Sequence, residues 1–125
     1  MRLLLDTSIV LWATLRDAKL PREARRLIDG ADAIFVSAIS IWEIAIKAAV
    51  RKFDADLDVI VGGIAEAGFE ELPVTWRHSQ AVRALPLHHR DPFDRMLVAQ
   101  AATEPLILLT SDRLLSRYGE RVLVV

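Results

Sequence analysis

The sequence predicts an α/β fold of three layers, with helices on both faces of a mostly parallel central sheet. Short apolar runs alternate with longer segments of helical character along the whole chain. The runs are apolar throughout, without a polar face, so each strand must be covered on both sides, as in a parallel sheet. The chain has 125 residues, a length that fits one domain over residues 1–125 and buries roughly two-thirds of the unfolded surface without staples.

The elements follow in order. Leu3-Leu4-Leu5 is an apolar run that stops at Asp6 and reads as a buried strand. Ile9 to Leu15 reads as a mostly buried helix. A second helix starts at Leu20-Pro21-Arg22-Glu23, with Pro21 near its first turn, and ends at Gly30. Ala33-Ile34-Phe35-Val36 is a second strand, and Ser37 to Val50 is a helix apolar on most sides. Asp56 to Ala67 is a helix closed by Gly68, and Glu70 to Val74 is a short strand. Helices over Trp76–Ala84 and Pro92–Ala102 lead to the strand Leu106–Thr110. A short helix over Asp112–Arg117 and a strand over Arg121–Val125 complete the chain. Trp12, Trp42 and Trp76 sit in apolar helical contexts and are expected in the core. His78, His88 and His89 sit in polar surroundings and are expected at the surface.

Composition narrows the function. There are no cysteines, which excludes disulfides and thiolate metal sites and fits a reducing cytosol. Hydrophobic residues make up 53% of the chain and mean hydropathy is +0.29. Both are high for a small monomer, and a partner chain would cover the excess. The net charge of −1 is not that of a protein that grips nucleic acid by charge alone. No run of 18 apolar residues marks a membrane span. The start, Met1-Arg2-Leu3-Leu4-Leu5, is broken by Asp6 with no cleavage site after it, so a cytoplasmic location is expected.

The acids are the chemical signal. Ligands of open α/β sheets sit at the carboxyl ends of strands, and Asp6 and Asp112 follow two strands there. Glu43 and Asp94 lie early in helices, where a first-turn position also faces that edge. Four converging carboxylates would repel one another, by roughly 4 kcal/mol for a pair about 4 Å apart at an effective dielectric near 20. Hard divalent cations with oxygen ligands relieve such repulsion. They also activate water and stabilise a leaving oxygen in phosphodiester hydrolysis. Each acid has an ordinary reading too. Asp91-Pro92-Phe93-Asp94 is a good helix start, Ser40-Ile41-Trp42-Glu43 matches a capping box, and Asp6 and Asp112 could be caps. Ser40, Glu43, Lys47 and Arg51 form a polar stripe on an otherwise apolar helix. It is either a solvated face with a Glu43–Lys47 pair or the wall of a cleft, and the pattern leaves both open. Arg90 and Arg95 are either solvated or meet the phosphates of a substrate.

At these residues the chain resembles the PIN-domain family, and within it the VapC-type toxins. The matching pieces are Leu4-Leu5-Asp6-Thr7-Ser8, Ser40-Ile41-Trp42-Glu43-Ile44-Ala45-Ile46-Lys47, Arg90-Asp91-Pro92-Phe93-Asp94-Arg95-Met96-Leu97-Val98-Ala99-Gln100-Ala101 and Leu109-Thr110-Ser111-Asp112, in the family's order. The resemblance implies a parallel sheet with acids at its carboxyl edge, Mg²⁺ or Mn²⁺, and hydrolysis of RNA to 5′-phosphate and 3′-hydroxyl ends. Asp6, Glu43 and Asp94 take the places of the core acids and Asp112 that of a more variable fourth. Ser8 stands where a small polar residue supports the metal site, and Asp91 is an extra acid nearby. A cognate antitoxin and a homodimer are also implied.

Three other classes compete. A PIN-like domain that binds RNA or protein without cutting is disfavoured by the intact acids. A receiver-like signalling module needs adjacent acids after the first strand and a lysine after the last, and neither is present. A haloacid-dehalogenase-like phosphatase wants a second Asp where Ser8 stands.

Overall fold

In the computed structural model, residues 1–50 and 54–125 are described. Five strands form one sheet: β1 (Arg2–Leu5), β2 (Ala33–Ser37), β3 (Glu70–Leu72), β4 (Ile107–Thr110) and β5 (Val122–Val124). Their order is β3-β2-β1-β4-β5 and every pairing is parallel. The helices are α1 (Thr7–Thr14), α2 (Arg22–Asp29), α3 (Ala38–Ala49), α4 (Leu57–Glu66), α5 (Trp76–Ala81) and α6 (Pro92–Thr103), with 3₁₀ segments over Val82–Ala84 and Arg113–Tyr118. The chain adds β2 and β3 on one side of β1, then crosses to add β4 and β5 on the other. A receiver-like module would follow the 2-1-3-4-5 order of flavodoxin-like sheets, so this topology rules that reading out.

The two faces of the sheet are written into β1. Leu3 and Leu5 point to one side and pack with Ile9, Val10, Ala24, Ile28 and Val36 beneath α1 and α2. Leu4 points to the other and packs with Leu97, Val98, Ala101, Leu108 and Leu115 beneath α6. All three leucines are fully buried, because successive side chains of a strand face opposite sides and both are covered. This is the three-layer α/β/α arrangement. Gly68 leaves α4 with φ of +76°, a backbone state that glycine adopts without steric cost, and so turns the chain into β3.

Several expectations need correction. The capping box expected at Ser40–Glu43 does not form: α3 starts earlier, with Ser37 as the cap accepting the Ile39 N–H, so Ser40 falls inside the first turn. A capping box forms instead at α5, where Thr75 caps the His78 N–H and His78 Nδ1 accepts the Thr75 N–H. His78 is therefore buried, its Nε2 meeting Glu104 Oε2 at 2.5 Å. Of the three tryptophans, Trp12 packs against the core. Trp42 is 58% exposed, and Trp76, at the start of the six-residue α5, is 91% exposed. The helix expected over Trp76–Ala84 breaks into α5 and a 3₁₀ turn, and the segment after Asp112 is 3₁₀.

Leu4→Ala removes a side chain that both β1 neighbours and α6 pack around. Urea unfolding of the variant is expected to show a loss of about 2–5 kcal/mol, with no change of fold.

Candidate metal centre

All strands of a parallel sheet end at the same edge, and here the chain reverses direction across the sheet between β1 and β4. Connections diverge at such a point and leave a crevice. Asp6 and Asp112 flank it. The Asp6 N–H donates to Leu109 O at 3.0 Å, extending the β1–β4 ladder by one step. Asp6 Oδ1 accepts the Ile9 N–H at 2.9 Å and so caps α1, while Oδ2 accepts the Thr110 hydroxyl at 2.5 Å. Asp112 caps the second 3₁₀ segment through the Leu114 N–H at 3.0 Å. Capping and membership of the cluster coexist in both residues, since a cap uses one oxygen of two.

Glu43 comes from α3 and is 5% exposed. The Thr7 hydroxyl donates to its Oε1 at 2.6 Å and lies 3.1 Å from the buried Ser40 hydroxyl. Lys47 Nζ donates to Oε2 at 2.7 Å. The polar stripe is thus turned inward at Ser40 and Glu43, with Lys47 at the rim. Arg51, the last residue expected in it, lies outside the described residues. Asp94 sits in the first turn of α6, which Asp91 caps by accepting the Phe93 and Asp94 N–H groups at 2.8 and 3.1 Å. Among the described residues no donor hydrogen-bonds to the Asp94 carboxylate, and His89 Nε2 stands 3.7 Å from it.

The four acids share one electrostatic neighbourhood. Burial pushes the Asp6 carboxyl up to about 6; the bonds from Thr110 and Ile9 oppose this, and the charges of Glu43 and Asp112 add to it. Burial also pushes Asp94 up to about 7, with Asp91, Asp6 and Glu43 reinforcing the shift and His89 opposing it. Lys47 is held above its ordinary range, first by its bond to Glu43, with Asp91 and Asp94 contributing. A part-buried carboxylate without a donor, facing three other acids, is the arrangement a hard cation would complete. The acids offer oxygen ligands and the chain has no cysteine, so the donor set suits Mg²⁺ or Mn²⁺ better than zinc.

The chain belongs to the PIN domain family, whose model matches residues 3–121. No curated protein sequence matches it significantly. Solved structures do resemble it. One is a toxin–antitoxin complex from Klebsiella pneumoniae, at TM-score 0.68 and 19% identity, covering 97% of this chain and 95% of that one. Another is DNA-bound VapBC from Salmonella typhimurium, at TM-score 0.73 and 21% identity, covering 99% and 98%. A third is VapBC2 from Rickettsia felis bound to a promoter DNA fragment, at TM-score 0.68 and 16% identity, covering 100% and 98%. At these identities the likeness is one of fold.

The structure sets Asp6, Glu43, Asp94 and Asp112 in one electrostatic neighbourhood, and several of the groups that hold them were not expected. Ser8 is exposed; its neighbour Thr7 is buried and holds Glu43. Thr110 was not singled out, although a hydroxyl at the end of an otherwise apolar strand was a readable signal, and Ser40, read as part of the polar stripe, meets the Thr7 hydroxyl. His89 was expected at the surface and instead meets Asp112 at 2.9 Å. Arg95 is not free for phosphate: its guanidinium donates to Pro86 O, Val82 O and the Tyr118 hydroxyl at 3.0, 3.3 and 3.1 Å.

Asp6 and Asp94 ionise at a higher pH folded than unfolded. Their effect is therefore neutral below about pH 4, grows unfavourable as pH rises from there, and is complete above about pH 7. For Asp6 alone, a rise from 3.8 to about 6 corresponds to roughly 3 kcal/mol. Thermal melts in chelator from about pH 5 to about pH 8 are expected to show falling stability, and Asp94→Asn to flatten the fall and raise the melting temperature at the upper end. An identical slope in the variant would place the effect elsewhere.

Proposed function

We propose that this chain is a metal-dependent endoribonuclease of the VapC type, the toxin of a type II toxin–antitoxin pair acting in the cytoplasm. The observation that carries this reading is the placement of Asp6, Glu43, Asp94 and Asp112 about the switch point of a PIN-family sheet, with the part-buried Asp94 carboxylate lacking a hydrogen-bond donor among the described residues. These four acids would hold Mg²⁺ or Mn²⁺. A divalent cation held there would supply activation of water and would offset charge on phosphodiester oxygens.

The chain's own residues set the stage for that chemistry. Thr110 and the Ile9 N–H orient the Asp6 carboxylate, while Thr7 and Lys47 orient that of Glu43. Lys47 stands half-exposed at the rim and Arg90 is exposed beside Asp91, so both can meet phosphate oxygens of a bound strand. Water would displace the 3′-oxygen of the preceding nucleotide, leaving 5′-phosphate and 3′-hydroxyl ends.

A partner surface supports the toxin reading. A groove of about 420 Å³ lies between α3 and α4, lined by Val36, Ile41, Trp42, Ala45, Val61 and Ile64. Trp42 is more than half exposed there and Val61 nearly half, apolar surface of the kind that a partner covers. The antitoxin is the proposed occupant, since structures that share the fold are toxin–antitoxin complexes. A homodimer would cover other exposed apolar residues such as Trp76.

The test is a cleavage map. Total bacterial RNA is incubated with antitoxin-free protein and Mg²⁺ or Mn²⁺, and new 5′-phosphate ends are sequenced. Discrete ends are expected that vanish with chelator and with Asp94→Asn. No ends with either metal would favour a domain that binds without cutting. Independently, Mn²⁺ at about 100 times its dissociation constant is expected to stabilise the fold by about 2.7 kcal/mol, and Asp94→Asn to reduce that gain.

A further inference from the structure

His89 lies on the loop between the first 3₁₀ turn and α6, and both its backbone and its ring are tied down. Its N–H donates to the Tyr118 hydroxyl at 3.1 Å, and Arg95 donates to the same hydroxyl at 3.1 Å. Its Nδ1 accepts the Asp91 N–H at 3.0 Å. Its Nε2 stands 2.9 Å from Asp112 Oδ2 and 3.7 Å from Asp94 Oδ2. The ligand-type atoms of His89, Asp94 and Asp112 all lie within 4.8 Å of one another, so the trio has the outline of a metal site with a histidine ligand.

The hydrogen bonds argue against that outline. A neutral imidazole carries one proton and one lone pair. The Asp91 N–H takes the lone pair at Nδ1, so the network assigns the proton to Nε2. An Nε2 that carries a proton has no lone pair for a cation, but it is a good donor to a carboxylate. We infer that His89 is a positioning residue: its Nε2–H holds Asp112 Oδ2 toward the acid cluster, and it does not ligate the metal.

The same short segment then serves two acids. Asp91 gives its N–H to His89, which orients Asp112. The Asp91 side chain caps α6, which places Asp94. With Oδ1 on the Leu114 N–H and Oδ2 on His89, Asp112 is held at both oxygens, and each keeps a lone pair. The spacing His89–Asp91–Asp94 thus joins the β4 end of the crevice to the α6 side.

Two isosteric replacements separate the ring's two bonds. Gln at 89 keeps a donor where Nε2 stands, whereas Asn keeps an acceptor near Nδ1 and loses the donor to Asp112. Long-range ¹H–¹⁵N spectra of the histidine-labelled chain, assigned by comparison with His89→Gln, are expected to show the Nε2–H form of His89 both in chelator and with Mg²⁺. His89→Gln is expected to bind Mn²⁺ and cleave RNA within about 5-fold of the parent, and His89→Asn and His89→Ala to lose about 10- to 100-fold, with His89→Asn still unfolding cooperatively in chelator. Loss of the Nε2 proton on adding Mg²⁺, or a Gln variant as impaired as the Ala variant, would overturn the inference. The cleavage readout rests on the proposed nuclease activity, but the spectra and the Mn²⁺ titration do not. A chain that cuts no RNA would sink the nuclease reading and still leave His89 decided.

Discussion

Carboxylates that share one crevice repel, and this chain gathers Asp6, Glu43, Asp94 and Asp112 where it could have kept them apart. The repulsion is met unevenly. Asp6 is compensated by a hydroxyl and a helix-cap N–H, Glu43 by a hydroxyl and Lys47, and Asp112 by a cap N–H and His89. The Asp94 carboxylate accepts no hydrogen bond among the described residues and is pushed up to about 7. The uncompensated charge is therefore concentrated on one side chain at the mouth of the crevice. The rest of the cluster is anchored to the most buried parts of the fold, the ends of β1 and β4 and the inward face of α3.

The sheet makes this possible. Because every strand is parallel, loops after β1 and β4 emerge at one edge, and the reversal between those strands opens the gap there. The α6 side is built differently. Arg95 spends its guanidinium on loop carbonyls and on Tyr118, which fixes the backbone ahead of the helix and with it Asp91 and His89. An arginine beside an acidic cluster suggests phosphate binding by sequence; here it is a brace.

Much of this was legible because the relevant signals are local. Apolar runs such as Leu3-Leu4-Leu5 and Leu106–Leu109 mark buried parallel strands wherever they occur, and an acid just past such a run must lie at the sheet edge. What could not be read depends on partners distant in sequence. Thr7 meets Glu43 across 36 positions, Thr110 meets Asp6 across 104, and His89 meets Asp112 across 23. No spacing rule connects them. Trp42 and Trp76 misled for a related reason: an apolar neighbourhood in sequence says that a helix has a buried face, not that each large residue lies on it.

The central claim is that the acids at this crevice hold a divalent cation, and anomalous diffraction from crystals soaked in Mn²⁺ tests it most directly. The account predicts a manganese peak ligated by carboxylate oxygens from Asp6, Asp94 and at least one of Glu43 and Asp112. Crystals that take up Mn²⁺ elsewhere, or leave the crevice without a peak at saturating concentration, would contradict it.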